Sequence, residues 1–306
     1  WSRFMINDDG RRTTVRRQGG SPTCPAYVEL HCHSAYSLLD GASTVEALVA
    51  QAAALEMPAL ALTDHDALYG AVPFGEAARS VGVRPILGAE VTLDDGHHLT
   101  LLVEDVTGWR NLCQLITQAQ RQAPKGRAAL SWDTLEAHTA GLICLTGCRR
   151  GPLVAALLDW DRQRAFRMAR RLAALFPDRL YVELQHHLHA DDAVLVDDLH
   201  RLAGYVRLPT VATNNVHYAR RDGRRLHDTL RAIARRLPLD RIAADLRPND
   251  EYYLKSASRL APLFRLYPEA LQASVQIAER CRFELQFGLH DLPAFPTPPG
   301  CDAAGY

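Results

Sequence analysis

The sequence is poor in lysine and carries no excess charge of either sign. Of its 35 basic residues only Lys125 and Lys255 are lysines, and the formal net charge is zero. A neutral chain has no overall electrostatic attraction to nucleic acid, so DNA contacts would need local patches. No stretch approaches the roughly 18 apolar residues that a membrane helix needs, and the N-terminus lacks an apolar signal core. We therefore expect a globular chain without a membrane partner.

Several familiar motifs are also missing. The seven cysteines are an odd number, lie far apart and form no Cys-x-x-Cys pair, which excludes a disulfide framework and favours a reducing, cytoplasmic location. There is no Gly-x-Ser-x-Gly elbow and no Walker or Rossmann glycine loop. A serine nucleophile and a nucleotide-binding loop are thus disfavoured.

The composition changes at both ends of the chain. Residues 1–26 are rich in arginine and glycine without apolar periodicity, which predicts a flexible leader. Residues 291–306 are dense in proline and predict an extended linker. The segment 27–290 between them is predicted to be one domain. Because the chain begins at Trp1 and not at Met, we expect a trimmed fragment.

Short apolar runs alternate with helical patterns in this central segment. The runs cover residues 27–31, 59–63, 84–87, 99–103, 141–146, 180–184 and 210–213. Seven strands that alternate mainly with helices predict an α/β fold, a distorted TIM-like barrel. The distortion is expected at Asp94-Asp95-Gly96, a hairpin signal that makes one connection antiparallel. Ser43 and Glu46 have the spacing of a capping box and predict the start of the first helix.

Imidazoles and carboxylates gather where the predicted strands end. His31 and His33 close the first strand, and two histidines one residue apart on an extended segment point to the same face. The other polar residues that follow strands are Asp64, His65, Glu90, Cys148, Asn215 and His217. In a barrel the loops at these ends carry the reactive groups. Histidines with a few carboxylates suit Zn²⁺, Mn²⁺ or Fe²⁺ better than Ca²⁺ or Mg²⁺, and such ions favour phosphoester hydrolysis.

An ordered set of motifs resembles the PHP (polymerase and histidinol phosphatase) domain. More closely, it resembles the N-terminal PHP domain of bacterial C-family DNA polymerases (the DNA polymerase III α-subunit family), within them the error-prone, DnaE-like branch. The motifs are His31-x-His33, Ser37-Leu38-Leu39-Asp40-Gly41, Thr63-Asp64-His65, Gly88-Ala89-Glu90, His98-Leu99-Thr100-Leu101-Leu102, Leu145-Thr146-Gly147-Cys148 and Val211-Ala212-Thr213-Asn214-Asn215-Val216-His217-Tyr218. The resemblance extends over about residues 27–300.

The resemblance implies a distorted (β/α)7 barrel, the PHP fold, with up to three divalent metal ions. The ligands that it implies are His31, His33, Asp40, His65, Glu90, His98, Cys148 and His217, with Asn215 at the remaining position. Hydrolytic members carry Asp-x-His where this chain has Asn215-Val216-His217, so one ion should bind more weakly. The resemblance also implies DNA contact through a full-length polymerase, other translesion or replication proteins as possible partners, and a polymerase palm beyond the linker.

Some of these residues have structural alternatives. Cys148 also fits the role of a small buried residue, Asp40 also fits a turn, and His98 competes with His97 for one position. Two further groups are expected to be solvated. They are His186, His187 and His189 after the sixth run, and Arg224, Arg231 and Arg235 on one helix.

Three functions remain open at the level of sequence. The first is the PHP module of an error-prone DNA polymerase, in which the metal cluster mainly supports the structure. The second is an active metal-dependent 3′–5′ exonuclease or phosphoesterase, against which Asn215 argues. The third is a free-standing phosphatase of the histidinol-phosphate type, against which the polymerase-like linker argues. The first is favoured.

Overall fold

The computed structural model describes residues 26–124, 126–286 and 297. The predicted leader (residues 1–26) and linker (residues 291–306) therefore lie almost entirely outside the described residues. Within these ranges no helix is long and apolar enough to cross a membrane.

One mixed sheet of six strands forms the centre of the domain. The strands are β1 (Ala59–Leu62), β2 (Arg84–Thr92), β3 (His98–Val103), β4 (Leu142–Leu145), β5 (Leu180–Gln185) and β6 (Thr210–Thr213). They pair in chain order, and only β3 runs antiparallel to its neighbours. Nearly every strand residue is buried, as expected for a sheet covered by helices on its outer face.

The first predicted strand is reduced to single bridges that join the two edges of this sheet. Glu29 bridges Leu60 of β1, and Cys32 bridges Val216 just beyond β6. Two hydrogen bonds of 2.8 Å hold the second bridge, from His33 N to the Val216 carbonyl and from Val216 N to the His31 carbonyl. We call residues 29–33 the closing segment. Its position confirms the distorted α/β barrel, with six regular strands and one irregular one.

The hairpin between β2 and β3 decides where two polar residues lie. The third strand was predicted over 84–87, but β2 extends to Thr92, so Glu90 lies within a strand and not after it. Gly96 adopts a φ of +83° in the turn, as the Asp94-Asp95-Gly96 signal predicts. Because β3 is antiparallel, its first residue, His98, lies at the same end of the barrel as the last residues of the parallel strands.

Helices cover the sheet. They are α1 (Val45–Ala54), α2 (Ala71–Ser80), α3 (Val106–Gln122), α4 (Trp132–Glu136), α5 (Pro152–Leu158), α6 (Arg162–Leu175), α7 (Asp192–Val206), α8 (Arg224–Arg235), α9 (Ala257–Leu260) and α10 (Pro268–Arg280). The predicted capping box is wrong by one residue. Thr44 caps α1 by accepting from Ala47 N, whereas the Ser43 hydroxyl accepts from Ala219 N.

The lower end of the barrel is plugged by α10. Ile277 and Cys281 pack into the apolar interior with Leu30, Ile86 and Ile143. This is the end at which the parallel strands start, since Arg84, the first residue of β2, donates to the Cys281 carbonyl at 2.7 Å. The opposite end carries the polar residues.

Candidate metal centre

Histidines from four parts of the chain meet at the open end of the barrel. His31 and His33 come from the closing segment, His65 follows β1, His98 begins β3 and His217 follows β6. All but His65 are almost fully buried. The fold therefore brings together side chains that lie up to 186 positions apart, as the positions at strand ends predict.

The carboxylate of Glu90 lies at the middle of this group and is itself buried. The nearest approaches to its two oxygens are His65 Nδ1 at 3.0 Å, His98 Nδ1 at 3.1 Å, Cys148 Sγ at 3.2 Å, and the Nε2 atoms of His31 and His33 at 3.5 Å each. Burial alone raises the pKa of Glu90, but the imidazoles of His98, His65 and His31 outweigh burial and lower that pKa well below its usual range. Glu90 is therefore an anion with several ligand atoms around it.

Three overlapping triplets of side chains have the spacing of metal-ligand sets. Each offers one nitrogen or oxygen per residue, and these atoms lie within 4.8 Å of one another. We call them the first triplet (His31, His33, Glu90), the second triplet (His65, Glu90, His98) and the third triplet (His33, His65, His217). Tetrahedral or octahedral ions at about 2.0–2.2 Å from nitrogen and oxygen ligands need donor atoms at such separations.

Unsatisfied buried nitrogens test whether a cation fits. His31 Nε2, His33 Nε2 and His98 Nδ1 are buried without a hydrogen-bond partner, and all three face Glu90. Burial and the neighbouring imidazoles of His65 and His217 lower the pKa of His33 well below its usual value, so this ring is neutral and keeps a lone pair. Buried polar atoms without partners are costly in a protein interior. A divalent cation would satisfy them, so the donor set fits a metal.

The orientation of His31 depends on a residue that the sequence analysis did not select. Glu183, buried on β5, lies 2.7 Å from His31 Nδ1 through its Oε1 atom, and Thr213 and Gln185 donate to the same oxygen. A carboxylate on one ring nitrogen fixes the tautomer and directs the other nitrogen toward a metal. The signal in the sequence that could have identified Glu183 is a glutamate that lies within a buried, mostly apolar strand.

A second carboxylate, Asp40, forms one corner of the centre. Its Oδ2 atom lies 3.1 Å from His65 Nε2 and 3.0 Å from His217 Nε2. Its Oδ1 atom faces His227 Nε2 at 3.5 Å and an Arg231 guanidinium nitrogen at 3.4 Å. The sequence pattern does not select His227 and assigns Arg231 only to a solvated helix, because α8 carries no motif and its residues approach Asp40 only in three dimensions.

The proton of His217 can be placed from its contacts. Nδ1 lies 2.9 Å from the backbone carbonyl of Asn215, which only accepts, so Nδ1 carries the hydrogen and Nε2 the lone pair. Arg247 donates to this Nε2 atom at 2.5 Å. Burial and the charge of Arg247 lower the pKa of His217 to about 3, which keeps the ring neutral.

Asn215 and Cys148 lie at the edge of the centre. Asn215 is almost fully buried, adopts a φ of +43°, and its Oδ1 atom has no hydrogen-bond partner. Cys148 donates to Glu90, and burial together with the Glu90 charge raises the pKa of its thiol well above the usual value. Both line the same cleft as Asp40 and His217. All nine residues selected from the sequence therefore lie in or beside this centre.

Asp64 belongs to the Thr63-Asp64-His65 motif, but its carboxylate supports the backbone around the centre and is not part of the triplets. Its carboxylate accepts from the Ser34 amide at 2.7 Å, the Ser34 hydroxyl at 2.8 Å and the Ser37 hydroxyl at 2.6 Å. Ser37 Oγ in turn accepts from the amide of His65 at 3.1 Å. This network ties the turn after the closing segment to the end of β1 and so positions two histidines.

The centre opens into a cleft of about 470 Å³ whose rim is rich in arginine. Arg149, Arg150, Arg231 and Arg247 all line it. The Arg231 side chain lines this cleft and is 27% exposed, as a solvated charge would be. The expectation of a solvated side chain is wrong for His187, which is buried, lies 2.8 Å from the Asn214 carbonyl through Nε2 and stacks on Tyr252.

Comparison with known proteins agrees with this geometry. Residues 29–187, just over half of the chain, match the model of the PHP domain. The chain belongs to the PHP domain family. The barrel, the buried histidines and the shared carboxylate are thus features of a PHP domain, and the family match together with the triplets indicates that it binds divalent metal.

Curated proteins with similar sequences are named as polymerases. The chain is 39% identical over 297 residues to an error-prone DNA polymerase of Symbiobacterium thermophilum and 41% identical over 288 residues to one of Mycobacterium tuberculosis. It is 34% identical over 288 residues to a DNA polymerase III subunit alpha of Pseudomonas aeruginosa. These alignments cover 90–92% of this chain but only 25–27% of the relatives. The chain spans about a quarter of the length of the proteins that it matches.

Among solved structures, an amidohydrolase from Chromobacterium violaceum overlaps with a TM-score of 0.42 at 19% identity. It covers 63% of this chain, and the match covers 88% of that protein. The family assignment rests on the PHP match and the sequence relatives.

Proposed function

We propose that this chain is the PHP domain of an error-prone DNA polymerase and that its metal cluster mainly stabilises the domain. The single observation that carries the proposal is the convergence of the closing segment, the end of β1, the start of β3 and the turn after β4 on the buried Glu90 carboxylate of β2. DNA contact through the full-length polymerase, and contacts with other translesion or replication proteins, belong to the same proposal.

The proposed ligands are the residues of the three triplets, supplemented by Asp40, Cys148 and Asn215. The chemistry of the set, imidazole nitrogen with a few carboxylates and one thiol, favours up to three ions of Zn²⁺, Mn²⁺ or Fe²⁺. Bound ions would supply Lewis acidity and would lower the pKa of a water molecule. Glu183 holds His31, and Asp64 holds the turn that carries His33, so the protein orients the ligands itself.

A stabilising role follows from where the ligands lie along the chain. An ion bound to His31 or His33 and to Glu90 links the closing segment to the sheet, and that segment has only single β-bridges of its own. The neutral amide of Asn215 provides one carboxylate fewer than the Asp-x-His form of the motif. Both observations favour a structural role for the metal cluster over hydrolytic activity.

Chelation tests this proposal. Urea unfolding of the purified protein is compared after saturation with Zn²⁺ or Mn²⁺ and after dialysis against a chelator, with metal content measured on the same samples. We expect bound metal and a gain of about 2.7 kcal/mol at a free metal concentration of one hundred times Kd. An unfolding midpoint that is the same in both samples would reject the stabilising role, and absence of bound metal would reject every metal-based function.

A metal-dependent phosphoesterase or 3′–5′ exonuclease is the second candidate. The four arginines of the cleft rim favour it, because guanidinium groups bind phosphate oxygens. Degradation of a primer terminus by the wild type that disappears in His31→Ala and His65→Ala would establish this candidate. Activity in Asn215→Asp alone would instead support an inactive site that the added carboxylate repairs.

A free-standing phosphatase of the histidinol-phosphate type is the third candidate. The relatives that match nearly all of this chain are about four times as long, which supports a module within a larger protein. The open reading frame beyond Tyr306 tests this point, since the first proposal expects a polymerase palm there.

A further inference from the structure

The Asp40 corner contains two acceptor atoms that face each other without a proton between them. Arg247 can only donate, and its guanidinium lies 2.5 Å from His217 Nε2, so this nitrogen carries the lone pair, and Asp40 Oδ2 lies 3.0 Å from the same nitrogen. Two acceptors at this distance need a positive charge beside them. The Arg247 guanidinium donates to Nε2 at 2.5 Å and supplies that charge from the His217 side.

We propose that Arg247 is the resident cation of the third triplet, so that the centre takes divalent ions at the first and second triplets only. The imidazole Nε2 has one lone pair, and a nitrogen that accepts from Arg247 cannot bind a metal at the same time. This inference rests on the metal binding in the proposed function, and it lowers the expected number of bound ions from up to three to two.

Arg247 is held in place by contacts other than His217. Its guanidinium carbon lies 3.9 Å above the ring of Tyr252, a cation–π distance. Tyr252 is buried, and its carbonyl accepts from the backbone amide of His217 at 2.8 Å. The arginine, the tyrosine and the histidine therefore pack as one unit, and the guanidinium is positioned before any ligand arrives.

The charge at this corner also disfavours a third ion. Arg231 lies 3.4 Å from Asp40 Oδ1 and Arg247 donates to His217 Nε2, so two guanidinium groups already lie at this corner. Asn215 adds no negative charge. At the first and second triplets, by contrast, the Glu90 anion faces imidazoles and the Cys148 thiol, and among the described residues no arginine contacts the ligand nitrogens.

The test counts ions in three forms of the protein. Wild type, Arg247→Met and Arg150→Ala are saturated with Zn²⁺ or Mn²⁺, dialysed, and analysed for metal per chain, and a calorimetric titration then gives the affinity of each step. Methionine keeps the packing on Tyr252 but has no N–H group. Arg150 lines the same cleft, and its side chain is exposed, so its loss removes an equal charge without freeing His217.

We expect two tightly bound ions in the wild type and in Arg150→Ala, and a third in Arg247→Met that binds about tenfold more tightly than any third ion in the wild type. Three tight ions in the wild type, or no change in Arg247→Met, would overturn the role of Arg247 while leaving the proposed function intact. An absence of metal in all three forms would overturn both. If Arg247→Met fails to fold, Arg247→Lys takes its place. Lysine keeps the positive charge but places it differently, so the affinity for a third ion should still rise.

Discussion

At the scale of single residues, the metal centre depends on groups that orient ligands without joining them. Glu183 is the clearest example, because its carboxylate holds His31 Nδ1 at 2.7 Å while the Nε2 atom of the same ring faces Glu90. Asp64 plays a similar part for the turn between His33 and Asp40. Such residues should affect affinity for metal more than they affect the fold.

Replacing Glu183 with glutamine tests this expectation. Glu183→Gln keeps the size of the side chain but removes the anion that accepts from His31, so we expect the affinity for metal to fall about 10- to 100-fold. The measurement is a metal titration of the folded protein, with circular dichroism to confirm the fold. Glu136→Gln, an exposed position on α4, is the matched control and should bind metal like the wild type. An unchanged affinity in Glu183→Gln would show that His31 needs no such support.

The buried thiol of Cys281 leads us to predict that the domain becomes less stable at alkaline pH. Burial in the plug formed by α10 raises the pKa of this thiol from 9.0 to about 12. The stabilising contribution is complete below the pKa of the unfolded chain, near 9, and is lost as the pH rises toward 12. A shift of three pKa units corresponds to a loss of at most about 4 kcal/mol in the free energy of unfolding.

The comparison of wild type with Cys281→Ala isolates this contribution. Alanine has no ionisable group, so the difference in unfolding free energy between the two proteins should shrink between pH 9 and pH 12. Urea unfolding at intervals of half a pH unit gives the curve. A difference that stays constant over this range would mean that burial does not raise the pKa of the folded thiol above that of the unfolded chain.

At the scale of elements, the turn after β4 places Cys148 beside β3. Gly147 adopts a φ of +85°, and a Cβ atom there would lie 2.3 Å from the carbonyl oxygen of His98. Only glycine fits this position, since both the backbone conformation and the space exclude a side chain. The turn therefore sets the distance between two proposed ligands.

Gly147→Ala should both destabilise the domain and weaken metal binding. We expect a loss of about 1–3 kcal/mol from the strained conformation, with a displacement of His98. Gly204→Ala is the matched control, because this glycine lies inside α7 with no atom within 4 Å of a new Cβ. The control should be more stable by about 0.5–1 kcal/mol. Equal effects of the two substitutions in thermal unfolding would contradict this account of the turn.

At the scale of the whole molecule, the closure of the barrel depends on the closing segment. The six regular strands pair through ladders, whereas residues 29–33 join the sheet edges through the bridges at Glu29 and Cys32. His31 and His33 point from this segment toward Glu90. A metal ion would therefore connect the irregular part of the barrel to its centre.

Hydrogen exchange can detect this connection. On removal of metal we expect faster exchange at the amides of His33, Thr63 and Val216, which bond across the closure. The amide of Val182 in β5, which bonds to the Pro209 carbonyl within the regular pairing of β5 with β6, serves as an internal control and should change little. Uniform acceleration at all of these amides would mean that metal stabilises the domain as one unit.

Much of this arrangement could be predicted from the sequence because it is local. Apolar runs mark the strands, the Asp94-Asp95-Gly96 turn marks the hairpin, and the motif residues at strand ends lie together because parallel strands end on one side of a barrel. His98 joins them although it begins its strand, since β3 is antiparallel. The family and the members of the centre follow from these patterns.

Contacts between distant segments were decided only by the tertiary structure. His227, Arg231 and Arg247 belong to a part of the chain without a motif, yet they reach Asp40 and His217 across the cleft. Periodicity describes which face of one element is buried and carries no information about the partner of a long side chain. The sequence by itself thus determined the set of proposed ligands, and the tertiary structure decided which positive charges already lie among them.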